Sequence, residues 1–342
     1  MDVRLSDEQV ALRDAVAQVA GRLGPETVAG LDDAARVARL DDAVHASGWR
    51  ELRVPEEGGE PLASGVEVCL VAEELARKLA DISLLGPTLA AELRRRAGAP
   101  DATERETIVL GGDLTSLAVA DEGRLPTGAA AIDAQGASYA LALRRAEDAY
   151  ALVRVSLPAP DVDVDLTRLI VRLGGATVSE LEAQRAVIDD EALTAWLSLA
   201  LAIVCADLVG TMRGDIELAR DYAQQREQYG KHIGSFQAVQ HLLADAHVSM
   251  EGSRSVALHA AWAADALEPA EALLAASVAK AYCARAARLV GETSIQVHGG
   301  IGNTWECLAH VYLRRALLSS DLFGGVDASL TRVLVGNGIG GA

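Results

Sequence analysis

From residue 190 to residue 225 the pattern is helical, and as far as Val209 it is apolar almost all the way round. A helix with no polar face cannot lie on a surface, so other elements must cover it on several sides. More helical patterns follow it, over 236–267, over 270–298, from about Thr304 to about Leu322, and briefly over about 327–335. Ser235 stands where the first of these needs an N-cap, and Gly299-Gly300 stand where the second should stop. Long helices joined by short turns bury one another as a bundle.

The preceding sequence reads differently. Residues 6–23 form an amphipathic helix, with Ser6 and Gln9 spaced as a capping box and Val10, Leu12, Val16, Val19 and Leu23 near helical spacing. A second helix is predicted over about 32–47, a third from Ser64 to near Ala80, and a fourth over about 87–97. Pro55, Gly58, Gly59 and Pro61 mark a loop between the second and third. Short apolar runs then appear at 107–110, 116–120, 139–143, 150–155 and 166–173, separated by turn residues. Their length and spacing predict a small antiparallel β unit. The expected fold is therefore mainly α with a small β domain. It has an N-terminal helical domain (1–105), a middle β domain (106–188) and a C-terminal helical bundle (189–342). Composition agrees, because the apolar half of the chain is mostly Ala, Leu and Val, and only 4% is aromatic.

A formal charge of −18 repels phosphate backbones and anionic lipid, so neither nucleic acid nor a membrane surface is an expected partner. Cys69, Cys205, Cys283 and Cys307 form no CxxC pair, so no metal site is expected. Buried free thiols suit a reducing cytoplasm, and the charged N-terminus has no signal-peptide core.

Two segments concentrate polar chemistry. In Arg226-Glu-Gln-Tyr-Gly-Lys-His-Ile-Gly-Ser-Phe-Gln237, Arg226, Lys231 and His232 gather positive charge in a glycine-bearing turn before a helix. Such a turn is a place for a pyrophosphate, or an ordinary connection with solvated charges. In Gln296-Val-His-Gly-Gly-Ile-Gly-Asn-Thr-Trp-Glu306, three glycines in four positions let a ligand approach the backbone, or simply stop a helix. His298 reads as a packed histidine.

Taken together, the R-x-Q-[FY]-G-x-x-I-x-x-F-Q and Q-x-H-G-G-x-G-x-T-x-E patterns, about sixty residues apart, resemble the acyl-CoA dehydrogenase family. The stretch VPEEGGEPLA…VAEELARKLA is similar to that family's first domain, and the order of α, β and bundle agrees. The resemblance implies FAD bound at a subunit interface. Arg226, Gln228 and Tyr229 would reach its pyrophosphate and adenosine half, with Ile233, Phe236 and Gln237 packing nearby. Gln296, Gly299 and Gly300 would contact the same region. It also implies α,β-dehydrogenation of an acyl-CoA thioester, with electron-transfer flavoprotein or a similar acceptor.

In that family a glutamate removes the α-proton, and the chain has none at either usual place. In the segment resembling I-Y-E-G-T, Leu322-Phe-Gly-Gly-Val326, the position is Gly324. The alternative place on the first bundle helix falls on Ala200, and 194–205 contains no acid. Asp321 and Asp327 flank Gly324, and Asp207 and Asp215 lie farther along the Ala200 helix. The loop T-E-x-x-x-G-S-D is replaced by AVADEGRLPT (118–127), and Asn303 stands where an aromatic is common. No residue is therefore assigned a catalytic role. The resemblance is best to the subunit of a heteromeric, steroid side-chain type enzyme that completes the FAD site, while a homologous partner in an α2β2 heterotetramer brings the glutamate. Two alternatives are a homotetramer using an atypical base such as Asp321, and a non-catalytic scaffold. Ala200, Ala202, Gly324 and Gly325 are small enough for a roomy acyl pocket or for close helix packing.

Overall fold

The computed structural model describes residues 4–55, 59–158, 165–181 and 186–339. Four helices come first: α1 (Asp7–Leu23), α2 (Ala34–Ala46), α3 (Gly65–Arg77) and α4 (Leu85–Arg96). Ser6 and Gln9 do close a capping box on α1, and Ser64 with Glu67 closes another on α3. Part of the predicted loop, 56–58, lies outside the described residues.

The middle region holds β1 (Glu106–Leu110), β2 (Val119–Ala120), β3 (Ala130–Ile132), β4 (Tyr139–Ala146), β5 (Ala149–Ser156), β6 (Val171–Arg172), β7 (Ser179–Glu180) and β8 (Val187–Ile188). They join in one sheet ordered β6-β3-β1-β4-β5-β7, with β2 also on β4 and β8 also on β5. The sheet is mixed, which corrects the expectation of an antiparallel unit: β1 and β2 both run parallel to β4. Parallel neighbours need a crossover, and here the chain from 111 to 138 supplies it. Both faces are covered. Ile108, Leu110, Leu141, Leu143 and Leu152 face the main helical core, while Val109, Ala140, Ala142, Val153 and Val155 form a second core with Leu125, Val171 and Leu173. Double burial explains why the strands read as continuous apolar runs.

The bundle begins with α5 (Asp190–Gln225), followed by α6 (Gln237–Ala266), α7 (Pro269–His298), α8 (Ala309–Asp321) and α9 (Val326–Gly336). A two-residue-per-arm hairpin, β9 (Glu227–Gln228) with β10 (Lys231–His232), links α5 to α6. Helix α5 is long and apolar enough to cross a membrane, yet 78% of its apolar window is buried inside the protein, as a central helix requires. It packs against α3 at very short range. A Cβ on Gly210 would collide with the Glu73 carbonyl, and one on Gly214 with the Arg77 carbonyl and the Tyr312 ring. Two expectations about caps fail. Phe236, not Ser235, caps α6, with no side-chain bond, because the Ser235 hydroxyl donates to the His232 carbonyl within a 3-10 turn (Ile233–Ser235). The fourth bundle helix starts at Ala309 rather than near Thr304, since a second 3-10 turn occupies Gly299–Asn303 and the Thr304 hydroxyl turns back to the Ile301 carbonyl.

Candidate functional site

Arg226 ends α5, and its backbone N–H bonds back to the Tyr222 carbonyl at 2.8 Å. The hairpin then reverses through Tyr229 (φ +54°) and Gly230 (φ +73°). This throws the Tyr229 ring into solvent, at 94% exposure, edge-on to Phe236 at 6.5 Å. Arg226, Gln228, Lys231 and Gln237 are also exposed, while Ile233 and Phe236 are half-buried. The Gln228 side chain donates to the Glu227 carbonyl at 2.8 Å, and His232 lies 3.7 Å from the Glu227 carboxylate. No side chain caps α6, so the first-turn N–H groups of this helix, which the hairpin leads into, have no side-chain acceptor at the cap.

The glycine segment lies at the same end of the bundle. Val297 on α7 packs in a small apolar cluster with Ala219 and Ala223 of α5, against Ile233, Val239 and Leu243. Ile233 therefore ties the hairpin to α7, with its side chain turned toward this cluster. His298 stacks against Tyr222 at 4.6 Å and bonds to the Ser294 carbonyl at 2.8 Å, so it is a packed residue. Gln296 is exposed, and a Cβ at Gly299 or Gly300 would meet nothing within 4 Å. The result is an exposed surface that carries cations in the hairpin and open backbone at Gly299 and Gly300.

The two places for a base are closed. Ala200 and Ala202 are fully buried, as are Leu199 and Phe323, so the small residues serve close packing rather than a pocket. Gly324 sits at φ +88°, and a Cβ there would lie 2.7 Å from the Ala328 Cβ. Lys280, itself fully buried on α7, donates to the carbonyls of Ser320 (2.6 Å), Leu322 (2.9 Å) and Gly324 (3.1 Å). Burial drives its pKa down to about 8, with Cys205 and Asp321 opposing the fall. Sequence reasoning passed over Lys280; the signal was a lone lysine in an otherwise apolar helical run. Replacing it with methionine removes the donor from three carbonyls. Each buried orphan costs about 1–3 kcal/mol. Lys280→Met is expected to lose stability of that order in urea titration, and to speed amide exchange at the corner between α8 and α9.

Of the four nearby aspartates, Asp207 and Asp215 are buried and the other two are exposed. Asp207 is an ion-pair centre. Its Oδ1 accepts from Arg315 (2.7 Å) and Arg168 (2.6 Å), and its Oδ2 from the Ser319 hydroxyl (2.8 Å). Burial raises its pKa, but the two guanidinium charges and the bonds from Arg315 and Ser319 outweigh that and hold the carboxyl below its usual range. Asp215 is buried, and desolvation pushes its pKa well above the usual carboxylate range, with a bond from Ser294 on α7 opposing. Asp321 and Asp327 are exposed. In AVADEGRLPT, β2 and an Asp121–Arg124 bridge occupy the place of the family loop, and Asn303 is exposed.

Comparison with known proteins agrees with this geometry. Residues 192–336 match the family described as acyl-CoA dehydrogenase, C-terminal domain. IpdE2, an acyl-CoA dehydrogenase of Mycobacterium tuberculosis, is 31% identical over 331 residues, 96% of each chain. FadE34, another from that organism, is 30% identical over 295 residues, which are 82% of this chain but 40% of FadE34. The chain thus spans less than half the length of FadE34 and nearly all of IpdE2. Among solved structures, the ChsE4-ChsE5 complex from Mycobacterium tuberculosis shares the fold, with a TM-score of 0.81, 23% identity and full coverage of both chains. On the strength of the matched bundle and of an end-to-end relative, the chain belongs to the acyl-CoA dehydrogenase family.

Proposed function

We propose that this chain is one subunit of a two-chain, FAD-dependent acyl-CoA dehydrogenase, helping to hold the flavin while a homologous partner supplies the catalytic glutamate. One observation carries the reading: an exposed turn bearing Arg226, Lys231 and His232 leads into the uncapped start of α6, while both base positions are buried and hold no carboxylate. The donor set suits a dinucleotide. Arg226 and Lys231 would neutralise its diphosphate together with the free N–H groups of α6. Gln228 and Gln296 would offer amides, and Gly299 and Gly300 would let the backbone come close. Bound FAD would supply the hydride acceptor for α,β-dehydrogenation of an acyl-CoA.

Exposure of these groups in one chain supports a site finished by a second. An apolar groove of about 680 Å³ between α6, α7 and α9, lined by Val278, Tyr282, Leu289 and Leu330, supports an oligomer too. That the ChsE4-ChsE5 structure is a complex supports pairing with a second subunit, which we take to be homologous and to form an α2β2 arrangement. We place the enzyme in the cytoplasm, with electron-transfer flavoprotein or a similar carrier as acceptor.

The test is coexpression with a homologue that carries the glutamate, followed by flavin content per heteromer. Arg226→Ala is expected to weaken flavin retention about 10- to 100-fold, the worth of one charge-assisted contact, with helical content unchanged. Robust dehydrogenation by the chain alone, abolished by Asp321→Asn, would instead support an atypical base.

A further inference from the structure

We propose that Trp196 and Phe323 form a plug that closes this chain's own acyl compartment, so that the heteromer takes its acyl thioester only at the partner's site. The inference rests on the preceding reading and adds to it that this chain is shut to substrate as well as lacking a base.

Each ring neighbours one of the two vacant base positions along the chain. Trp196 is four residues before Ala200 on α5, hence on the same face. Phe323 immediately precedes Gly324. The two rings meet edge to face, 5.8 Å apart at 80°. The indole N–H is anchored on the Leu89 carbonyl of α4 at 2.9 Å, so the ring bridges α4 and α5. Trp196 is 2% exposed and Phe323 is fully buried. An acyl chain whose α-carbon came within reach of position 200 or 324 would need this volume. Two aromatic rings already fill it, and a packed interior has no slack for a third group.

The backbone shows that the ring is held there against its preference. Phe323 has φ +59°, a left-handed conformation that is a true outlier for a bulky residue. Such strain persists only where the surroundings over-determine it. Here the Phe323 N–H donates to the Leu114 carbonyl at 2.7 Å, and its carbonyl accepts from Arg332 at 2.9 Å. The carbonyls on either side, of Leu322 and Gly324, both go to Lys280. These bonds hold the backbone on both sides of the ring, and the turn is fixed with Phe323 buried.

The test titrates the full chain calorimetrically with 1-octanol, a hydrocarbon chain free of CoA. The wild-type chain is expected to show no saturable site. Trp196→Ala and Phe323→Ala, each verified as folded by circular dichroism, are expected to gain one site per chain, at least tenfold tighter than any wild-type uptake. A saturable interior site in the wild type overturns the proposal without recourse to a variant. So does the lack of binding in a folded variant. Flavin retention plays no part in this measurement. A failure of Arg226→Ala to lower flavin content would therefore sink the proposed function and leave the plug standing.

Discussion

Asp207→Ala is expected to destabilise the protein by about 3–5 kcal/mol, the cost of removing one partner from a buried ion pair. The mechanism is specific. Arg168 and Arg315, both nearly fully buried, would lose the carboxylate that bonds them both, and among the described residues Arg168 would keep only Asp133 at 3.8 Å as an ion-pair partner. Arg315 also reaches the Ala80 carbonyl at 3.1 Å and the Thr167 hydroxyl at 2.9 Å. Asp207 therefore locks α8 to α5 and both of them to the start of the α3–α4 connection and to the β region. Asp207→Asn should lose much of the same stability, since an amide keeps the shape but not the charge. Chemical denaturation of the wild type and both variants checks this. A loss below about 1 kcal/mol, the level of an exposed pair, would mean that the network is not desolvated as it is drawn.

Asp207 also shows what the sequence could and could not reveal. Its helix, its face and its distance from Ala200 were readable from spacing alone. Its partners were not, because Arg168 and Arg315 come from segments 39 and 108 residues away in the chain, brought together only by the fold. The same limit applied to Lys280, whose three acceptors are all backbone atoms and leave no side-chain signature. Local signals did well where local physics rules: the Ser6–Gln9 box, the Gly299 stop at φ +65°, and the all-round apolar α5. They failed where two local options compete. Ser235 has the residue type of a helix cap but satisfies its hydroxyl one turn early. Strand β3, with sequence Ala-Ala-Ile, is held by its neighbours rather than by propensity, so it gave no sign and the parallel pairing it helps to connect went unread. The two motif segments were visible in the sequence. Their joining through Val297 and Ile233 needed the structure.

Gly324→Glu puts a carboxylate at the position that the resemblance to I-Y-E-G-T marks for a base, and it is expected to restore no dehydrogenation. Three effects act against it. At φ +88° any side chain is strained, by about 1–2 kcal/mol for a left-handed residue. The new Cβ would stand 2.7 Å from the Ala328 Cβ, and such overpacking costs about 1–3 kcal/mol more. The carboxylate would also emerge beside the Arg332 guanidinium, 3.4 Å from that Cβ, with Lys280 on the adjoining carbonyl. Cations so close hold a carboxyl ionised and lower its pKa, which makes it a stable ion-pair partner and a weak base. The variant should therefore unfold at a clearly lower temperature and show no turnover above background. The assay should use a heteromer whose partner glutamate has been replaced by glutamine, so that any activity must come from position 324. Measurable turnover there would mean that the Phe323 turn opens and admits substrate, and both the vacancy and the plug would have to be abandoned together. If instead the variant is stable and silent, the aromatic filling of the compartment limits this chain more than the missing acid does.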